Sequence, residues 1–167
     1  DEYKVALDAG LTPEAALKAV ARRSRDNART PMQWTGEENA GFTAGTPWLR
    51  VNSNYTAINV EKETIDPNSV LNFYKKLIAL RKEKDIIVYG EFEPLCREDD
   101  QIFAYTRKLD EERLLTVCNF SEHVAEMEIP EEFQKNAECL ITNLGRKDFG
   151  KKVVLKPYEA FVLYRNL

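Results

Sequence analysis

Histidine is almost missing from this chain: His123 is the only one in 167 residues. A nucleophile activated by an imidazole, or a metal held by several, would have to depend on that single residue, so both are excluded as leading readings. Cysteine is scarce as well. Cys96, Cys118 and Cys139 are odd in number and more than twenty residues apart, which is neither a disulfide framework nor a metal-binding cluster. Reduced thiols in a cytoplasmic protein are the expectation. No run of about 18 apolar residues is present, so no membrane span is expected. Asp1-Glu2-Tyr3-Lys4 is not a basic stretch leading into an apolar one, so no signal peptide is expected either. Twenty-four basic residues against 28 acidic ones leave a net charge of −4, which gives no footprint for nucleic acid or an anionic membrane. Internal repeats and low-complexity segments are lacking.

What remains is the composition of a folded protein, 43% hydrophobic and 31% charged. The character of the chain changes near residue 85. Before it, helices alternate with long polar loops. Thr12 as N-cap, Pro13 at the first helical position and Glu14 in the first turn open a helix that runs through Ala15–Ala21 to Arg22-Arg23. A second helix is predicted over 67–84, capped by Asp66 and opened by Pro67. Val70, Phe73, Tyr74, Leu77, Ile78 and Leu80 form its apolar stripe. Between them lie some forty residues punctuated by Gly and Pro. Met32, Trp34, Phe42, Trp48, Val51 and Tyr55 make that stretch too apolar for a solvated linker, so an ordered, functional loop is expected.

After residue 85 the pattern is short strands with turn chemistry between them. Strands are predicted at 86–89, 91–95, 101–108, 113–119, 124–129, 137–142, 152–156 and 160–165, with 102–105 and 114–117 at the centre. Eight short strands in about eighty residues predict an antiparallel sandwich with Greek-key connections.

The loop Ser24-Arg25-Asp26-Asn27-Ala28-Arg29-Thr30-Pro31-Met32-Gln33-Trp34 gives the reading its direction. It resembles the SRDNARTPMQW block of the oligo-1,6-glucosidase, dextran glucosidase and sucrose isomerase group of the α-amylase superfamily, glycoside hydrolase family 13. The likeness continues in order through Ala40-Gly41-Phe42-Thr43, Gly45-Thr46-Pro47-Trp48, Val51-Asn52, Asn54-Tyr55 and Ile58-Asn59-Val60. It goes on through Tyr74–Lys82, Val88-Tyr89-Gly90, Phe103–Arg107, Asn119-Phe120 and Pro157-Tyr158-Glu159-Ala160.

The resemblance implies an α+β chain in which residues 1–84 are the C-terminal end of a (β/α)8 barrel and residues 85–167 an all-β antiparallel domain. It implies the C-terminal part of an α-glucosidase that hydrolyses α-1,6 or α-1,4 linkages at the non-reducing end of isomalto- or malto-oligosaccharides, with retention. Retention needs two carboxyl groups about 5 Å apart. In the relatives these precede the SRDNARTPMQW block, and Asp26, Glu37 and Glu38 have nothing in their setting that marks a catalytic pair. No catalytic residue is therefore expected here, and no metal or cofactor.

Arg25 is the candidate substrate-binding residue. The resemblance implies that it holds the O4 hydroxyl of the terminal glucose together with an upstream aspartate, a task suited to a rigid, permanently charged fork. Arg29 is a second candidate, as its partner or as a brace for the loop. Trp34 and Trp48 are expected in the loop's local core, His123 on the surface. Alternatives of other classes are a stand-alone carbohydrate-binding module and a structural β module. Without the remaining barrel, the Val70–Leu80 stripe is expected to lie exposed and to favour self-association.

Overall fold

The computed structural model describes residues 2–167, the side chain of Asn27 excepted. Packing divides the chain into two compact units, residues 1–66 and 67–167.

The first unit begins with helix α1 (Glu2–Asp8) and helix α2 (Pro13–Arg23). Gly10, at φ +88, takes the left-handed conformation that closes α1. Its N–H donates to Leu7 and that of Leu11 to Ala6, which satisfies the last carbonyls of the helix. The Thr12 hydroxyl accepts from the Ala15 N–H at 3.2 Å, the cap expected from the sequence. The stretch after α2 is ordered in short 3-10 turns at Arg25–Ala28, Glu38–Gly41 and Ser53–Thr56, and ends in helix α3 (Val60–Ile65).

The second unit opens with helix α4 (Val70–Glu83). It starts later than predicted. The Asp66 N–H donates to the Lys62 carbonyl and so finishes α3, and Ser69 takes the cap, its hydroxyl accepting from Asn72. The predicted strand 86–89 is instead a single helical turn, α5 (Ile86–Tyr89). Its β-branched residues suit a strand, but Ile86 is wholly buried and the Tyr89 N–H bonds back to Asp85, so packing overrides propensity. Gly90 follows because a Cβ there would sit 2.5 Å from the Ile86 carbonyl oxygen.

Seven strands make the β region: β1 (Glu91–Leu95), β2 (Ile102–Leu109), β3 (Glu112–Asn119), β4 (Ala125–Glu128), β5 (Glu138–Thr142), β6 (Lys152–Leu155) and β7 (Ala160–Asn166). All pairings are antiparallel, in a five-stranded sheet of order β1-β2-β3-β7-β5 and a two-stranded sheet β4-β6. The chain crosses between the sheets after β3, β4, β5 and β6, so that β7 is inserted between β3 and β5. The core lies between the sheets: Ile102, Ala104, Leu115, Val117, Phe161 and Leu163 from one side meet Ala125, Met127, Val153 and Leu155 from the other, closed by Ile129 and Phe133. The alternate residues of β2, β3 and β7 turn to the outer face, as the two-residue period requires. There Leu77, Leu80 and Ile87 of α4 and α5 lie over Tyr105, Leu114 and Val162.

Candidate functional site

Arg25 begins the turn that follows α2. Ser24 ends the helix and caps the turn at once, its hydroxyl accepting from the Asp26 N–H at 3.3 Å. The Arg25 side chain is exposed, and among the described residues it has no hydrogen-bond or ion-pair partner. Arg29 ends the same turn, its N–H donating to the Asp26 carbonyl at 3.1 Å. Its guanidinium lies 3.9 Å from the Asp26 carboxylate, with both side chains more than half exposed, a geometry worth little in stability. The partner that the structure gives Arg29 is thus Asp26. Glu37 and Glu38 are exposed. Among the described residues no group of three or more His, Cys, Asp or Glu could hold a metal ion.

The loop beyond Arg29 is held by hydrogen bonds gathered on two residues, the backbone of Ala40 and the side chain of Asn59. Asn39 and Ala40 both take left-handed conformations, φ 51 and 58, and this turn brings the Ala40 carbonyl to the N–H groups of Trp34 and Thr35 at 2.9 and 3.1 Å. Ala40 is wholly buried, so a larger side chain would add steric conflict to a strained backbone. Asn59 is the second tie. Its amide donates to the Tyr55 carbonyl at 2.8 Å and accepts from the Lys62 N–H at 3.0 Å, capping α3 while closing the preceding turn. Gln33 and Trp34 join these two parts, since their carbonyls accept from Val60 and Glu61 and the Gln33 amide donates to the Ile58 carbonyl. In the sequence Asn59 and Gln33 stand only as members of the Ile58-Asn59-Val60 and SRDNARTPMQW motifs. The signal for Asn59 is an Asn before a helical run, which is a cap; Gln33 carries no such signal.

Trp34 and Trp48 do not form the local core expected of them. Trp48 is 81% exposed and Trp34 49%, because this unit ties itself together through polar groups and leaves its large apolar side chains outside. His123 is exposed, as expected.

In the β region the motif residues have structural work. Glu159 is 2% exposed and its carboxylate takes a two-pronged bond from Arg146, Nε to Oε1 at 2.7 Å and the terminal nitrogen to Oε2 at 2.9 Å. The Lys156 N–H adds a third donor at 2.8 Å. The Arg146 fork, helped by that N–H, outweighs burial and holds the Glu159 carboxyl below its ordinary range. Buried Asn119 donates to the carbonyls of His123 and Lys156 and accepts from Ser121. These are clamps on the turns between strands.

The fold and the loop together define a class: the end of a glycoside-hydrolase catalytic domain followed by an antiparallel β domain. The model of the alpha amylase catalytic domain matches residues 1–90, and that of the alpha-amylase SusG C-terminal domain matches residues 102–162. The chain belongs to the α-amylase family. It is 45% identical over 161 residues to the probable oligo-1,6-glucosidase 2 of Bacillus subtilis, covering 96% of this chain and 29% of that protein. To the oligo-1,6-glucosidase of Parageobacillus thermoglucosidasius it is 47% identical over 156 residues, 92% of this chain and 28% of that protein. The crystal structure of trehalose-6-phosphate hydrolase from Bacillus licheniformis superposes with a TM-score of 0.92 at 39% identity, covering 99% of this chain and 31% of that one. The chain thus spans less than a third of the length of these relatives.

Proposed function

We propose that this chain is the C-terminal part of an α-glucosidase that releases glucose from the non-reducing end of short isomalto- or malto-oligosaccharides with retention. Residues 1–84 are the end of its barrel and residues 85–167 its β domain, in a cytoplasmic enzyme whose three thiols stay free. The observation that carries the proposal is the unbroken SRDNARTPMQW block within a chain 45% identical to a protein named for α-1,6-glucosidase activity. Arg25 grips the O4 hydroxyl of the terminal glucose and an upstream aspartate, and its guanidinium, exposed and without a partner among the described residues, supports that role. Arg29 braces the turn through Asp26. Neither of the two carboxyl groups that retention needs is contributed by residues 1–167.

The test is kinetic. The 167-residue chain alone should release no nitrophenol from nitrophenyl α-glucoside above background. The intact enzyme should turn it over, and Arg25→Lys should lower kcat/KM by about 10²-fold or more, the loss expected when a positioning fork is removed. Turnover by the isolated chain, or an Arg25→Lys enzyme with unchanged kcat/KM, would refute the assignment. A second reading, a sugar-binding module in its own right, is favoured by the exposure of Trp48. It requires heat of binding to maltose or isomaltose by the isolated chain that Trp48→Ala abolishes.

A further inference from the structure

The outer face of the five-stranded sheet can be followed in rows across β2, β3 and β7. Arg107, Leu114 and Tyr164 make one row, Tyr105, Thr116 and Val162 the next, and Phe103, Cys118 and Ala160 the third. Helices α4 and α5 cover the first two rows: Leu77, Leu80 and Ile87 lie over Tyr105, Leu114 and Val162, and the Lys84 ammonium sits 4.4 Å over the Tyr164 ring. In the third row no helix lies over Phe103, while Cys118 and Ala160 are half-buried. Phe103 is 50% exposed, and it belongs to a continuous aromatic strip. Phe92 lies 5.0 Å from Tyr105, Tyr105 5.6 Å from Phe103, and Phe103 6.2 Å edge-on from Phe120. Phe92 and Phe120 are 48% and 69% exposed.

The strip is built rather than loose. The Phe120 N–H donates to the Gln101 carbonyl at 2.7 Å, and the Arg107 guanidinium, anchored on the Gly90 carbonyl at 2.9 Å, stands beside the rings of Phe92 and Tyr105. Three phenyl rings fixed in water make an apolar patch that calls for a partner. Two observations choose it. The helices already seated on this face lie within the residues matched by the catalytic-domain model, 1–90, so the face is where catalytic domain meets β domain. The relatives carry roughly 70% of their length outside the part matched here. A saccharide fits less well, because Phe92, Phe103 and Phe120 offer no polar atom to orient a sugar and the polar side chains Asp99, Asp100 and Gln101 border only the Phe103–Phe120 end of the strip.

We infer that the strip Phe92–Tyr105–Phe103–Phe120 is the continuation of the interdomain contact and is covered by the remainder of the catalytic barrel. The inference rests on the proposal that the chain is part of a longer glucosidase, and it names the β-domain residues that hold the two parts together.

A thiol placed at the strip's most exposed position tests it. Phe120→Cys is made in the 167-residue chain and in a chimera that carries this chain in place of the matched C-terminal part of the Bacillus subtilis relative. The Parageobacillus protein supplies a second scaffold. Labelling by a maleimide is timed in each, with the natural thiols subtracted using the parent chain. The introduced thiol should react freely in the isolated chain and at least tenfold more slowly in a chimera. Phe103→Ser should lower the Tm of the chimera more than that of the isolated chain, which loses only the ring contacts to Tyr105 and Phe120. Equal labelling rates in chain and chimera would overturn the inference. So would protection of the isolated chain by isomaltotriose, or protection that grows with its own concentration, since these assign the strip to a sugar or to a second copy. Glucosidase turnover by the chimera is scored separately, so a failed contact and a failed activity are told apart.

Discussion

Residues 2–66 and residues 67–167 are stabilised by different means. In the first unit the buried apolar side chains are the small ones of Ala16, Pro31 and Ala40, while Trp48 and Ile65 are 81% and 80% exposed. Its order comes from caps, left-handed turns and the side chains of Asn59, Asn39 and Gln33 spent on backbone groups. The second unit has a twelve-residue core between two sheets. The difference teaches that shape and stability are separable here. The unit bearing the candidate sugar-binding arginine is held in shape locally and has almost no apolar burial, the usual main source of folding free energy. Sites placed on loops depend on a scaffold, and on the function proposed above the rest of the catalytic domain is that scaffold.

The largest expected effect is on the core of the second unit. Phe161→Ala should destabilise it by about 3–5 kcal/mol, since the ring is fully enclosed and leaves a cavity. Denaturant unfolding followed by the signal of the β region measures this. Trp48→Ala, a change as drastic in the first unit, should fall within about 0.5 kcal/mol. A comparable loss from both would erase the contrast.

Next comes the Arg146–Glu159 clamp. Arg146→Ala should destabilise by about 3–5 kcal/mol by leaving a buried carboxylate without its partner. The wild-type pair also sets a pH limit. Because the folded pKa of Glu159 is depressed, its contribution is complete above the ordinary carboxylate range and fades as pH falls through the lower folded value. Tyr164 works in the opposite direction. Its hydroxyl donates to Glu112, which raises its pKa to about 12. The stability it adds is complete below about pH 10, its ordinary value, and is lost as pH rises toward the folded one. Glu159→Gln should flatten the acid limb of a plot of Tm against pH, and Tyr164→Phe the alkaline limb.

A smaller effect is expected from Asn59→Ala, about 1 kcal/mol for the lost cap. It should act locally, raising amide hydrogen exchange at 33–36 and 60–62 and leaving β2 and β3 protected. Global loss of protection would show that the two units unfold together. The smallest is Arg29→Ala: its exposed pair with Asp26 is worth about 0–1 kcal/mol, so Tm should barely move.

Much of the β region could be read from the chain alone, because alternation and turn residues are local. The alternation predicts strand β1 to the residue and the other six to within one at each end. The turn Ile86–Tyr89 could not be, since its apolar run is equally good as a strand and only burial of Ile86 decides. Helices α1 and α3 were missed, being short and weakly periodic. Of the candidate site, the motif and its arginines were legible as a resemblance. The Asp26 partner of Arg29 and the exposure of both tryptophans were not, because they depend on how the chain turns.

By itself, then, the amino-acid order determined the family of this protein, the position of its arginine-bearing loop and the alternation that makes a sandwich, all of which are written in neighbours a few residues apart. Only the tertiary structure decided that Glu159 meets Arg146, that Ala40 receives two N–H groups and that three exposed phenyl rings line up beside Tyr105 on one face. Each of those joins groups through a fold in which sequence distance no longer measures distance in space.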